Sequence, residues 1–221
     1  PILQLSIGDR NDCHGWLVGE PHSGLRYMFQ MMNEARIGVG MGAAAMATAA
    51  YYASLEYSKS RLQGRNLSKK DPNLPPVPII EHADVKRMLL FQRAVIEGAQ
   101  SLLMQCSKYV DLQRVFEGED REKCHLLLEI LTPVAKSYPS EMGIQSISQG
   151  LQCLGGSGYC DDYPLEQYYR DCRIHPIHEG TTGIQGMDLL GRKVIMQNGK
   201  AFVLYVNGLQ ESIATARNFE K

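Results

Sequence analysis

From Ile37 to Leu55 the chain carries no charge, and most of that stretch is alanine and glycine. Around it, Leu25, Met28, Met32, Ala35, Val39, Ala43 and Met46 recur at three- and four-residue intervals, the period of one helix face. The spacing predicts one long helix from Ser23, a suitable N-cap, to about Ser60. The uncharged run approaches the length of a membrane span. It lacks the leucine, isoleucine and phenylalanine of such a span, and Arg36 and Glu56 bracket it. It is therefore read as the small-residue face of a helix packed closely inside a soluble bundle, with no transmembrane segment.

The remaining chain is read the same way. A second helix is expected from His82–Asp84 to about Phe116, with Val85, Met88, Leu89, Gln92, Val95, Ile96, Ala99 and Leu103 as its inward stripe. A third is expected from about Asp120 to Leu154. It should bend at Pro133 and Pro139, because proline removes a ladder donor. A short helix from Leu165 to Arg170, one from about Thr182 to Met196 and another beyond Gly199 follow. Asp71-Pro72 and Leu74-Pro75-Pro76-Val77-Pro78 make a long ordered surface loop between the first two helices. At the start, Leu3, Leu5 and Ile7 alternate with polar residues, and a Gly8-to-Asp12 turn leads to Trp16-Leu17-Val18, a pattern of strands. Helices joined by short links over apolar faces predict an antiparallel bundle.

Of 221 residues, 44% are hydrophobic and 21% charged, enough for one sizeable core. A net charge of −1 excludes the basic footprint of a nucleic-acid binder or a polybasic membrane anchor. Cys13, Cys106, Cys124, Cys153, Cys160 and Cys172 form no CxxC pair, which favours reduced thiols over a disulfide framework. The chain opens on Pro1 without a charged-then-apolar leader and stops at Lys221, and it is read as a piece of something longer.

Several residues invite a chemical reading. Gly38-Val39-Gly40-Met41-Gly42 has the wrong spacing for a dinucleotide loop and no preceding strand, so it is assigned to helix packing. Gly155-Gly156-Ser157-Gly158 follows a helix, and it is either a plain tight turn or a loop whose free amides meet an anion. His175-Pro176-Ile177-His178-Glu179 matches no zinc motif, and no metal is assigned. Arg61 and Arg65 flank Gly64 at a helix end, where guanidinium groups either stay solvated or grip a pyrophosphate. Glu179, standing before Gly180-Thr181-Thr182, reads on spacing alone as a carboxylate at a helix start.

Taken in order, these pieces resemble the acyl-CoA dehydrogenase family from Gly24 to Lys193. The order runs Glu34-Ala35-Arg36, Tyr57-Ser58-Lys59-Ser60-Arg61-Leu62-Gln63-Gly64-Arg65, then Ile80-Glu81-His82. Gln152-Cys153-Leu154-Gly155-Gly156-Ser157-Gly158-Tyr159, Tyr168-Tyr169-Arg170-Asp171-Cys172-Arg173-Ile174 and Glu179-Gly180-Thr181-Thr182-Gly183-Ile184-Gln185 follow. The ending Gly183-Ile184-Gln185-Gly186-Met187-Asp188-Leu189-Leu190-Gly191-Arg192-Lys193 is similar to the larger bacterial branch that includes methylmercaptopropionyl-CoA dehydrogenase-like enzymes. The implied fold is mainly α, an antiparallel four-helix-bundle C-terminal domain. Residues 1–22 would be the end of a middle β-domain, 23–198 the bundle that holds FAD and acyl-CoA, and 199–221 the start of a truncated C-terminal extension.

The resemblance also implies an FAD-dependent α,β-dehydrogenation of an acyl-CoA thioester to the trans-2-enoyl-CoA. Glu179 matches the base that takes the α-proton, while the hydride passes to flavin N5. Its own N–H would help polarise the thioester carbonyl. Arg61 matches the arginine on the FAD pyrophosphate, commonly across a subunit boundary. His82, Gln152, Cys153, Leu154, Gly155, Gly156, Thr181 and Gly183 match further FAD contacts, and Asn33, Arg36 and Gly180 match the acyl-CoA side. Ala83 and Gly183 stand where the family often has glutamine. Some relatives carry the base on the first helix immediately before the arginine; here that position is Ala35, with Glu34 beside it, and Glu179 keeps the assignment. Electron-transfer flavoprotein as acceptor, a homodimer or homotetramer, and a bacterial cytoplasmic (or mitochondrial matrix) location are implied as well. The competing readings are a non-catalytic helical oligomerisation or binding domain, and an acyl-CoA oxidase.

Overall fold

The computed structural model describes residues 3–66, 71 and 73–219, with the side chains of Phe29 and Gln30 outside that description. Pro72 of the expected proline-rich loop, and Pro1, Ile2, Glu220 and Lys221 of the expected terminal segments, also lie outside the described residues. The chain divides into two compact units, Pro1–Met32 and Asn33–Lys221.

In the first unit, residues 3–23 form turns and irregular chain, and the strands expected there are absent among the described residues. Leu3, Leu5, Ile7, Trp16, Leu17 and Val18 are each at least 72% exposed. Alternation supplies a strand's side-chain pattern, but a strand also needs backbone partners for its N–H and C=O groups. The first helix begins as expected, its Tyr27 N–H donating to the Ser23 carbonyl at 3.2 Å. The Tyr27 hydroxyl accepts from the Glu20 N–H at 3.0 Å and ties the approach segment to the first turn.

Three long helices make the frame: α1 (Gly24–Ser60), α2 (Ala83–Val115) and α3 (Gly118–Leu154). From Asn33 onward, α1 runs antiparallel to α2. The Ser54 hydroxyl donates to Gln92 Oε1 at 3.3 Å, Gln100 Nε2 donates to Thr48 Oγ1 at 3.3 Å, and Arg114 reaches Glu34 at 3.4 Å. α3 returns along α2, with Arg87 against Gln149 and His125 against Gln113 at opposite ends.

The glycines of α1 and α3 explain why this bundle is tight. A Cβ on Gly40 would stand 2.1 Å from the Ala135 carbonyl oxygen, and one on Gly143 would stand 3.3 Å from the Ala43 oxygen. In a helix the Ala135 carbonyl would accept from the N–H four residues on, but that residue is Pro139, which has none. The freed carbonyl lies against the bare Gly40 backbone, where a side chain would not fit. α3 itself runs through Pro133 and Pro139 without interruption. Ala43, Ala47 and Ala50 of α1, Leu89 and Ile96 of α2, and Ile147 of α3 are buried in one core.

Beyond α3 come α4 (Leu165–Cys172) and α5 (Thr182–Asp188), then a π turn over Leu189–Lys193 rather than the continuous helix expected to Met196. Val194 N–H donates to the Leu189 carbonyl at 2.9 Å, five residues back. Five positions are not a repeat of a 3.6-residue turn. The wider turn brings Asp188 and Lys193, both buried, toward one side. Gln197, Asn198 and Gly199 are left-handed and break the chain again before the helical run ending at Arg217, called α6 (Met196–Arg217). Ala201 of α6 buries against Leu126 and Ile130 of α3, and this C-terminal run completes the bundle. Among the described residues, no helix is long and apolar enough to cross a membrane.

Two expectations follow from this packing. Gly40→Ala destabilises by about 3 kcal/mol, since overpacking against backbone outweighs a helix-propensity gain of about 1 kcal/mol. Gly38→Ala, at an exposed position where an added Cβ meets nothing within 4 Å, stabilises by about 0.5–1 kcal/mol; urea unfolding of both variants checks the contrast. Burial pushes the thiols of Cys106, Cys153 and Cys172 up to about 11, while Cys13 and Cys160 are exposed. At pH 8 an anionic disulfide reagent titrates those two thiols quickly, and the other four only after guanidinium is added.

Candidate functional site

The candidate residues fall into two constellations. The first is a cleft of about 310 Å³ where the end of α1, the start of α2 and the end of α3 meet. Arg61, His82, Gln152, Cys153, Leu154 and Gly155 all line it, together with Tyr57 and Gly64. Its rim is built by a short antiparallel pairing after α1. Gln63 N–H donates to the Val77 carbonyl at 3.0 Å, Val77 N–H to Gly64 at 3.1 Å, and Ile79 N–H to Arg61 at 2.9 Å. Gly64 sits at φ +70°, and a Cβ there would approach His82 Nε2 at 3.1 Å. That ring nitrogen is itself 2.8 Å from the Gln63 carbonyl oxygen. The proline-rich loop thus turns Arg61 and His82 toward one opening.

On the far wall, α3 ends at Gly155, whose φ of 59° and ψ of −138° turn the chain out of the helix. A Cβ on Gly155 or Gly156 would meet nothing within 4 Å, so the backbone there is open to approach. The Tyr57 hydroxyl, 3.3 Å from Ser157 Oγ, ties this turn to α1. Cys153 lies behind it, its sulfur 3.9 Å from Gln92 Nε2. The Arg61 guanidinium is exposed and has no ion-pair or hydrogen-bond partner among the described residues.

The second constellation is the loop between α4 and α5. Glu179 has φ 54° and Gly180 φ 88°. The left-handed region costs a non-glycine residue roughly 1 kcal/mol or more, and persists where surrounding structure over-determines it. Here the surroundings are specific. Lys136 Nζ donates to the Gly180 carbonyl at 2.7 Å, and Gln185 Nε2 donates to the Glu179 carbonyl at 3.0 Å and the Gly180 carbonyl at 3.3 Å. The Thr182 hydroxyl donates to Glu141 at 2.5 Å, and Thr181 Oγ1 caps α5 by accepting the Ile184 N–H at 3.5 Å. The Glu179 residue itself is exposed. A Cβ on Gly183 would meet only Thr181 Oγ1, at 3.9 Å, so the position has room for a larger side chain.

The lysine beneath this loop is fully buried, and burial holds its ammonium below the usual lysine range; the nearby Glu141 charge opposes that shift. Burial likewise lowers the His175 pKa. His175 Nδ1 lies 3.2 Å from the Cys172 carbonyl oxygen, and its Nε2 crowds Gly42. The ring is thereby used for packing. Among the described residues, no group of three His, Cys, Asp or Glu is placed to hold a metal.

Asn33 and Arg36 are occupied within the chain. Arg36 pairs with Asp188 at 2.7 Å, nine-tenths buried on both sides, and Asn33 Nδ2 donates to Glu129, which also pairs with Lys193. Glu34, the neighbour of the alternative base position, pairs with Arg114 on the surface. Glu129, Lys136, Gln185, Asp188 and Lys193, which hold these groups, are not among the residues to which the motifs assign a role. One signal was present: Glu129, Thr132, Lys136, Ser140 and Gly143 recur at helical spacing and are all buried, a polar stripe where an apolar one is the rule.

Known proteins place this architecture. Residues 22–194 match the model of the family described as acyl-CoA dehydrogenase, C-terminal domain. A butyryl-CoA dehydrogenase of Syntrophomonas wolfei is 38% identical over 98% of this chain and 36% of its own length. A 3-methylmercaptopropionyl-CoA dehydrogenase of Ruegeria pomeroyi is 41% identical over 88% of this chain and 33% of its own. This chain thus spans about a third of the length of these curated relatives. Among solved structures, butyryl-CoA dehydrogenase from Megasphaera elsdenii aligns with a TM-score of 0.62 at 25% identity, covering 78% of this chain and 39% of that one. The Caenorhabditis elegans protein ACDH-11 aligns at 0.75 and 21% identity over 88% of this chain and 30% of its own, a likeness of fold alone. With the helical frame, the glycine turn after α3 and the Glu-Gly-Thr loop all in family order, the chain belongs to the acyl-CoA dehydrogenase family and carries its C-terminal helical domain.

Proposed function

We propose that this chain is the helical wall of an FAD-dependent acyl-CoA dehydrogenase, with Glu179 as the base that removes the α-proton of the thioester. The observation that carries the reading is the exposed Glu179 carboxylate, presented from a left-handed backbone on a loop tied to the bundle core. Bundle packing has no use for a strained carboxylate in that position; a proton acceptor facing a substrate does.

The first cleft fits FAD. Arg61 offers an unpaired guanidinium for a pyrophosphate, and Gly155 and Gly156 offer an open turn that a side chain would obstruct. Gln152, Cys153, Leu154 and His82 complete that wall, while Thr181 and Gly183 meet the flavin from the other constellation. Neither Thr181 nor Gly183 lines the Arg61 cleft, which fits FAD held between neighbouring copies of the chain in a homodimer or homotetramer. When bound, FAD supplies at N5 the acceptor for the β-hydride.

The protein's own part is the proton. Glu179 takes it from the α-carbon as the Glu179 N–H draws charge onto the thioester oxygen, and Gly180 leaves room for the acyl chain. The CoA nucleotide is assigned to the α1 face bearing Asn33 and Arg36, where engaging either side chain means exchanging its bond to Glu129 or Asp188. Electron-transfer flavoprotein is the expected acceptor. The exposed apolar residues between Leu3 and Val18 belong, in this reading, to a middle β-domain present in the longer relatives, and residues 199–221 open a C-terminal extension.

In the full-length protein, anaerobic acyl-CoA bleaches bound flavin, and a panel of chain lengths names the substrate. Glu179→Gln keeps its flavin and loses at least about 100-fold in bleaching rate, the contribution of a positioned base. A Glu179→Gln variant that bleaches normally removes the base assignment. Arg61→Met weakens flavin retention by about 10- to 100-fold, as expected for a lost charged hydrogen bond of about 1.5–3 kcal/mol, read by flavin release on dilution.

A further inference from the structure

We infer that Lys136 and Gln185 are positioning residues that hold the Glu179-Gly180 backbone in its strained geometry; the inference rests on the reading of Glu179 as base. Both side chains are buried, at 0% and 1% exposure. Both direct donors at the same short stretch of main chain. Lys136 Nζ takes the Gly180 carbonyl at 2.7 Å, and Gln185 Nε2 takes the Glu179 and Gly180 carbonyls at 3.0 and 3.3 Å.

Peptide planarity makes this more than an anchor. In a trans peptide the N–H of one residue points opposite to the carbonyl of the residue before it. Drawing the Glu179 and Gly180 carbonyls inward turns the Gly180 and Thr181 N–H groups outward. The N–H groups of Glu179, Gly180 and Thr181 have no hydrogen-bond acceptor among the described residues. The clamp therefore presents a strained carboxylate and a row of open amides on the same loop. Glu141, which accepts from the Thr182 hydroxyl at 2.5 Å, ties the next residue to α3 and opposes the lowering of the Lys136 pKa.

The choice of residue supports a functional origin. A buried ammonium is costly, and an apolar side chain of similar length packs such a site at least as well. Lys136 is fully buried, where a lysine is rare without a partner, and the partner it has is the Gly180 carbonyl. Stability given up at such a position is a recurrent mark of a site built for activity.

The test uses the full-length flavoprotein with Lys136→Met, Gln185→Met and the double variant. The expected result is bound flavin, an unchanged or raised Tm for Lys136→Met, and anaerobic bleaching at saturating acyl-CoA slowed by about 100-fold. Half-saturation should stay within about threefold, because the loss is of alignment and not of uniform binding. The double variant should lose less than the product of the single losses, since both donors serve one carbonyl. Exchange of the Thr182 amide, which donates to the Pro176 carbonyl at 3.2 Å, should quicken in each variant. Gln185→Met leaves the buried charge in place and decides the matter if Lys136→Met does not fold. Wild-type bleaching rates in both single variants, or losses that only follow lost flavin or a lowered Tm, overturn the inference. Should Glu179→Gln bleach normally, the base reading fails, while the exchange measurement still reports whether the clamp exists.

Discussion

The approach of α1 to α3 at Gly40 and the Ala135 carbonyl is the constraint on which the rest depends. Pro139 frees that carbonyl, and glycine in α1 lets backbone meet backbone without a side chain between them. With the helices this close, inward side chains at neighbouring positions have little freedom. Lys136 lies one residue beyond the contact on α3 and donates to the Gly180 carbonyl at 2.7 Å. The tight bundle contact and the bond to the loop that carries Glu179 thus start from adjacent residues of α3.

A second consequence concerns polarity. Glu129, Lys136, Arg36, Asp188 and Lys193 place five charged groups in or near the interior, joined as Arg36–Asp188 and Glu129–Lys193 pairs with Lys136 on the Gly180 carbonyl. Buried pairs add little net stability, because desolvation offsets their attraction, but breaking one leaves an uncompensated charge at a cost of about 3–5 kcal/mol. They tie α1 to the end of α5 and α3 to the π turn at Leu189–Lys193, the wider turn bringing both Asp188 and Lys193 toward their partners.

The two constellations divide the chemistry by element type. The cleft at Arg61 and Gly155 is made from helix ends and turns, where backbone groups are unsatisfied and available to a ligand. The Glu179 loop is held by side chains from two helices, and so is fixed more firmly than a surface loop of its length. A chain with only one of these features would suit binding or packing. Both together suit the reading proposed above, in which one constellation holds the cofactor and the other offers the base.

The periodicity of the chain was enough for the three long helices, their antiparallel order, the breaks at Gly64, Gly155 and Gly199, and the assignment of Gly40 and Gly42 to packing, though Gly38 of the same run is exposed and a Cβ there would meet nothing within 4 Å. These are local properties: each depends on residues within a turn or two of one another, and a sequence displays them directly. The ordered motifs, by resemblance, added the residues that line the Arg61 cleft and the Glu-Gly-Thr loop. The strands expected near Leu3 and Trp16 did not form, because pairing depends on a partner that alternation cannot supply. The partners of Lys136 and Gln185 were hidden for a similar reason. A lysine in a polar stripe names no partner until the fold brings a carbonyl from more than forty residues away to within 2.7 Å of it. The sequence alone determined which residue is offered as the base; only the tertiary structure decided what holds it, because that bond joins groups whose separation along the chain carries no local signal.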